Sequence, residues 1–216
     1  MKLIGTTGDA ADKSGLPAAT DPRFRYLRAQ VEGYPPSMLV LGYVDQSPEG
    51  PVEVWYSASR EIIKLLDGRI IATGGLPMDW STTRFEPLPT AWPLVGPGDV
   101  AYRRSHDEST RYRTGLVDDV LLHPWSGELP QALIKSLPAT LPIELARSYR
   151  WFHESYTRVP PWLVGANRVD PSASQPEAWF AWGRHLGQDA VVYSYQCLKS
   201  DFCLKLQRWP LQEELH

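Results

Sequence analysis

The chain has 216 residues and a formal charge of -3, with a pI near 6. That balance offers no overall field for a polyanion such as nucleic acid, which is not expected as a partner. Its 20 prolines work against long helices, and no stretch reaches the roughly 20 apolar residues of a membrane-spanning helix.

The first 22 residues read as a flexible leader of Gly, Ala, Asp and Thr without hydrophobic period. They lack the apolar core of roughly 7–15 residues that a secretion signal carries. The chain is thus either cytosolic or a form that begins after a removed signal. Structured sequence starts at Phe24–Glu32 and turns at Gly33-Tyr34-Pro35-Pro36. Ser37–Asp45 is almost wholly apolar and of strand length, the pattern of a central strand buried on both faces.

Val52–Ser57, Glu61–Leu66 and Arg69–Thr73 read as three successive antiparallel strands. Asp67-Gly68 stands between the last two, where a two-residue hairpin needs positive φ at both turn positions. Met78–Gly98 is Pro- and Trp-bearing irregular chain with a short strand near Thr82–Phe85. Asp99–Ser105 and Thr110–His123 form two longer strands around a turn at His106-Asp107-Glu108-Ser109. Gln131–Leu137 is the helical candidate of the Pro-rich segment 124–142. Leu145–Tyr156 fits helix and strand imperfectly, and its aromatic content favours strand. Glu177–His185, Val191–Cys197 and Cys203–Trp209 close the chain as strands. No internal repeat and no clear linker divides it. The expectation is an all-β fold: a single large antiparallel, curved or barrel-like meander with few short helices. It spans residues 23–210 and is followed by a tail at 211–216.

Candidate chemistry is sparse. His106, Asp107 and Glu108 lie at an expected turn, where charged side chains face water. Asp118 and Asp119 point to opposite faces of a strand, so they cannot pair, and one of them is a candidate for burial against an Arg. The five His show no metal-ligand spacing, and no metal or cofactor is expected. Trp55-Tyr56-Ser57-Ala58-Ser59 lacks the glycines of a nucleophile elbow. Gly74-Gly75 and Gly96-Pro97-Gly98 lack a phosphate-binding context. Nine Trp remain. Most belong to the core of a β protein, but Trp80 and Trp92 in the Pro-rich stretch and Trp162 after Pro160-Pro161 are candidates for an exposed binding surface. Cys197 and Cys203 enclose five residues, which suits a bridged turn better than a redox pair; two free core thiols are the alternative.

Several ordered strings resemble a known family. Leu39-Val40-Leu41-Gly42-Tyr43-Val44-Asp45, Val54-Trp55-Tyr56-Ser57-Ala58, Asp67-Gly68-Arg69-Ile70 and Thr73-Gly74-Gly75-Leu76-Pro77 are similar to the front half of the YjbF/GfcB (YmcC-like) outer-membrane lipoproteins. Gln196-Cys197-Leu198, Asp201-Phe202-Cys203 and Gln207-Arg208-Trp209-Pro210 are similar to their C-terminal signature. The likeness runs from about Phe24 to Pro210, loosely in the middle. It implies a non-catalytic periplasmic protein tethered to the outer membrane by an N-terminal lipid, supporting exopolysaccharide or group 4 capsule export. Implied partners are periplasmic and outer-membrane proteins of the export locus, with polysaccharide as a further candidate. The resemblance also favours the Cys197–Cys203 disulfide. The lipobox cysteine and signal peptide of that family are absent from this sequence. Two other functions stay open: a carbohydrate-active enzyme using a pair among Glu53, Asp79, Glu86, Asp118 and Asp119, and a ligand-carrying barrel with an apolar interior.

Overall fold

The computed structural model describes residues 21–108, 113–160 and 176–211. All but the last two residues of the leader lie outside the described residues, as do Trp162 and the tail beyond 211. The elements in chain order are β1 (Tyr26–Val31), β2 (Ser37–Ser47), β3 (Gly50–Ser57), β4 (Ile62–Leu66), β5 (Arg69–Gly74) and β6 (Trp80–Glu86). Then follow β7 (Val100–Glu108), β8 (Arg113–Trp125), α1 (Gln131–Ser136), α2 (Ile143–Ser148) and β9 (Arg150–Arg158). β10 (Ala178–His185), β11 (Gln188–Lys199) and β12 (Phe202–Trp209) complete the chain.

All twelve strands form one antiparallel sheet, in the order β5-β4-β3-β2-β1-β12-β11-β10-β9-β8-β7-β6. The first and last strands are neighbours, with Tyr26 opposite Trp209 and Val31 opposite Leu204. The two ends of the sheet, β5 and β6, are consecutive in sequence, so it curls into a nearly closed barrel. A knot of polar groups pins one end of the remaining seam. Asp79 accepts from the Thr73 hydroxyl and from the amides of Gly75 and Leu76, while the Trp80 amide donates to Thr73 Oγ1 at 3.0 Å. The all-β barrel-like expectation agrees with this architecture.

The hairpin expected at Asp67-Gly68 has positive φ at both residues, 49° and 80°. It leans across the barrel interior instead of lying along the wall. A Cβ at Gly68 would stand 2.5 Å from that of Val191 on β11, so only glycine permits the approach. Gln196 of β11 accepts from the Ile70 amide at 3.0 Å and donates to the Gly68 carbonyl at 2.9 Å. Its side chain thereby satisfies one amide of the edge strand β5 and one carbonyl of the turn before it. Arg69 reaches Glu154 of β9 at 2.8 Å, with both side chains buried. The guanidinium also lies 3.8 Å from the Trp92 ring centre, a favourable cation–π position.

A second buried charge group lies beyond the first. Asp118 receives Arg104 at 2.9 Å and Arg158 at 2.6 Å. Burial alone would raise the Asp118 carboxyl, but the two guanidinium groups outweigh it and hold the group below the ordinary range. Arg104 lies 4.0 Å from the Tyr156 ring centre, and the Tyr156 hydroxyl donates to Glu154 at 2.8 Å, linking the two charge groups. Around them pack two apolar clusters. One gathers Leu27, Leu39, Trp55, Ile63, Leu204 and Leu206; the other gathers Trp92, Tyr102, Val120, Leu122, Phe152 and Phe180.

The helices cover the outer face of the sheet. Leu133, Leu141 and Ala146 pack on Trp151, Trp179 and Tyr193, and Thr140 and Gln207 exchange two hydrogen bonds.

Three expectations need correction. Leu145–Tyr156 divides into α2 and β9: Tyr149 leaves helical geometry at φ -84°, ψ 153°, and Trp151 donates back to the Ala146 carbonyl at 2.7 Å. His106 and Glu108 are buried strand residues of β7: the Trp80 ring lies tilted against the imidazole with ring centres 4.4 Å apart, and Trp80 stands opposite Glu108 in the ladder. Only the first half of β2 is buried; from Gly42 through Gln46 it is exposed.

Cys197 stands opposite Cys203 in the β11–β12 register and the two are joined as a disulfide. Closing so short a loop restricts the unfolded chain by about 2 kcal/mol. Replacing both cysteines with alanine should lower unfolding stability in urea by about that amount. Dithiothreitol should destabilise the wild type equally and leave the double variant unchanged.

His106 supplies a pH test. Burial first, then Arg104 and Arg158 against the weaker pull of Asp118, push its imidazole down to about 3. Unfolding returns it to its ordinary value of 6.5, so the unfolded state binds the extra proton between those limits. Stability is therefore greatest above 6.5 and falls as pH drops, by up to about 1.4 kcal/mol per pH unit. His106→Gln should flatten the fall measured by denaturation between pH 6.5 and about 5.

Candidate binding cleft

In an up-and-down barrel, alternate connections gather at each end. The β2–β3, β4–β5 and β10–β11 turns share one end with the β6–β7 segment, with Arg25 ahead of β1 and with Pro210 after β12. These elements enclose an open cleft of about 620 Å³, within the range of small-ligand sites.

One wall is an ion pair. The same Arg208 nitrogen donates to both carboxylate oxygens of Glu53, at 2.9 and 2.8 Å. Arg208 Nε also donates to the Val191 carbonyl at 2.9 Å, which fixes the guanidinium plane. The base is the inward hairpin: Asp67, Gly68 and Arg69, with the Trp92 indole donating to the Asp67 carbonyl at 2.9 Å. Burial works against the Arg69 charge, but Glu154, Tyr102 and Asp67 together outweigh it and keep the guanidinium protonated.

At the rim, Val44, Leu88 and Leu186 leave 39%, 46% and 45% of their surface in solvent. Leu186 also adopts φ 51° at the β10–β11 turn, an unfavourable conformation for a branched side chain. Close by, His185 is buried and its Nε2 lies 3.0 Å from the Pro210 carbonyl. A carbonyl only accepts, so Nε2 carries the proton. Burial, reinforced by Arg208, lowers the His185 pKa and favours the neutral ring.

The cleft thus combines an apolar rim with a charged but pair-balanced interior. Its described lining includes no Ser, Thr, Cys, Lys or Tyr, so it offers no side chain of the usual nucleophile types beyond carboxylates and one histidine. Its chemistry suits binding of an amphipathic surface or ligand. Among the described residues, no three His, Cys, Asp or Glu side chains group as a metal site requires.

The candidate tryptophans do not converge here. Trp80 is 2% exposed and Trp92 fully buried, which corrects the expectation of surface positions. Trp80 lies in β6 and donates to the Leu198 carbonyl at 3.2 Å. Each indole N–H is satisfied by a backbone carbonyl, and this permits burial despite the surrounding prolines. Trp162 lies outside the described residues. The five carboxylates proposed for hydrolysis have separate engagements. Glu53 binds Arg208, Asp79 holds its own turn, Asp118 binds two arginines, Asp119 pairs with the exposed Arg103, and Glu86 stands opposite Arg103 in the ladder. The sequence reading missed the Glu53–Arg208 pair, whose members lie 155 positions apart. No local pattern announces such a contact.

No protein-family description matches the chain, and no curated protein does. Among solved structures, the hypothetical lipoprotein YmcC from Escherichia coli (K12) superposes with a TM-score of 0.57 at 14% identity. The alignment covers 88% of this chain and 85% of that one. At this identity the likeness is one of fold, and it is the fold of the YmcC-like lipoproteins that the sequence motifs resemble.

Proposed function

We propose that this chain is a non-catalytic periplasmic lipoprotein, tethered to the outer membrane, that supports exopolysaccharide or capsule assembly and export through contacts with partner proteins and polysaccharide. The observation that carries the reading is the shared fold with YmcC over 88% of the chain, together with the ordered sequence motifs. The Cys197–Cys203 disulfide supports an oxidising compartment.

The test is deletion of the gene in its bacterial source and complementation with the full-length product. Deletion should reduce the polysaccharide delivered to the surface, and the complementing protein should sediment with outer membranes and capture products of the export locus. A Leu88→Asp/Leu186→Asp variant should lose that capture while melting like the wild type, since both residues are exposed at the cleft rim. Unchanged surface polysaccharide together with a protein that captures no locus product would overturn the reading.

A further inference from the structure

The outer face of β8–β10 is unusually aromatic. Register places Trp125 opposite Trp151 and His123 opposite His153, with Trp179 opposite His153 on the other side. Such a face would be costly in water, and residues 126–149 fold over part of it. Trp151 and Trp179 are thereby reduced to 4% and 8% exposure. The cover stops short of Trp125, which keeps 37% of its surface in solvent and borders a second groove of about 760 Å³.

Trp125 is held in place. Its indole N–H donates to the Glu128 carbonyl at 3.1 Å, and its ring meets the Trp179 ring edge-on at 5.0 Å. Its exposed surface is therefore already oriented, so binding would cost little side-chain entropy. Along the groove stand Gln131, Arg147, Tyr149 and Arg150, with Glu128 near the indole. Arg150 spends one donor on the Val95 carbonyl at 3.2 Å and lies 5.4 Å from the Phe152 ring centre, which steadies the guanidinium.

This combination matches the chemistry of a sugar chain. A pyranose ring presents an apolar C–H face that stacks on an indole, while its hydroxyls ask for planar donors and acceptors at the edge. Guanidinium and amide groups supply them. Two arginines against one glutamate make the groove net positive and favour a negatively charged ligand, and a guanidinium engages a carboxylate through paired donors. The volume suits a short oligosaccharide segment better than a single ring.

We propose that this groove binds a segment of acidic polysaccharide, with Trp125 as the stacking plate and Arg147 and Arg150 engaging carboxylate-bearing units. The proposal deepens the function proposed above and takes from it the source of the glycan.

The test is calorimetric titration of the purified protein with acidic oligosaccharides from the source bacterium's own exopolysaccharide, alongside cellohexaose as a neutral probe. The acidic fragments should bind, more weakly as salt is raised, and more tightly than cellohexaose. Trp125→Ala should weaken binding at least tenfold, and Arg147→Glu, a change at an exposed site, several-fold without altering the melting temperature. Absence of binding to the wild type, equal binding by both variants, or preference for cellohexaose would overturn the proposal. The outcome separates from that of gene deletion. Impaired export with no glycan binding sinks the groove alone. Glycan binding with normal export sinks the export role alone.

Discussion

The structure depends on the inward placement of the β4–β5 hairpin, locked by the buried Arg69–Glu154 pair. A sheet of twelve strands encloses more space than side chains from its own wall readily fill, since barrel width grows with strand number. Here a piece of the sheet fills the space. Bringing Arg69 inside is expensive, because a buried charge that loses its partner costs several kcal/mol. The surroundings answer that cost at each group: Glu154 faces the guanidinium, Trp92 lies against its plane, and Tyr156 donates to the other carboxylate oxygen. Once the hairpin is seated, Gln196 occupies one amide of β5, that of Ile70, and the carbonyl of the adjoining turn residue Gly68.

The same arrangement explains where binding surfaces arise. Stability is concentrated in the barrel interior and in the outer-face layer beneath α1 and α2. The connections at one end are then free to diverge, and both clefts are framed by them. Leu186 illustrates the division: its turn adopts a strained conformation at a position where the core asks nothing of it.

Much of this was legible in the residues, and the failures have physical causes. Asp67-Gly68 announced its hairpin because two consecutive positive-φ residues leave few alternatives. The Cys-bounded turn and its flanking strands were readable for similar local reasons. In β9, however, Phe152, Glu154 and Tyr156 face the barrel interior while Trp151 packs beneath the helices, so neither face reads as solvent. Alternation fades when both faces are covered, so the sequence does not mark the change from α2 to β9 at Tyr149. Trp80 and Trp92 misled because proline content signals surface chain, whereas indoles with carbonyl partners can be buried within it. His106 misled because a polar triplet resembles a turn. Its burial depends on Trp80, Asp118 and Arg104, brought together only by the fold. Arg69 and Glu154 are 85 positions apart, and nothing in either neighbourhood foretells the other.

The pairing of β1 with β12 has a consequence for how the protein is made. During synthesis the first strand acquires β2 early, but its other edge stays open until the final strand has been delivered. The ring is thus completed by the most distant partners in the chain, an ordering that slows folding and prolongs exposure of an unpaired edge. Truncation just ahead of Phe202 would leave β1 paired only with β2 and β11 only with β10, each with one bare edge, an adhesive species whose fate is aggregation or proteolysis.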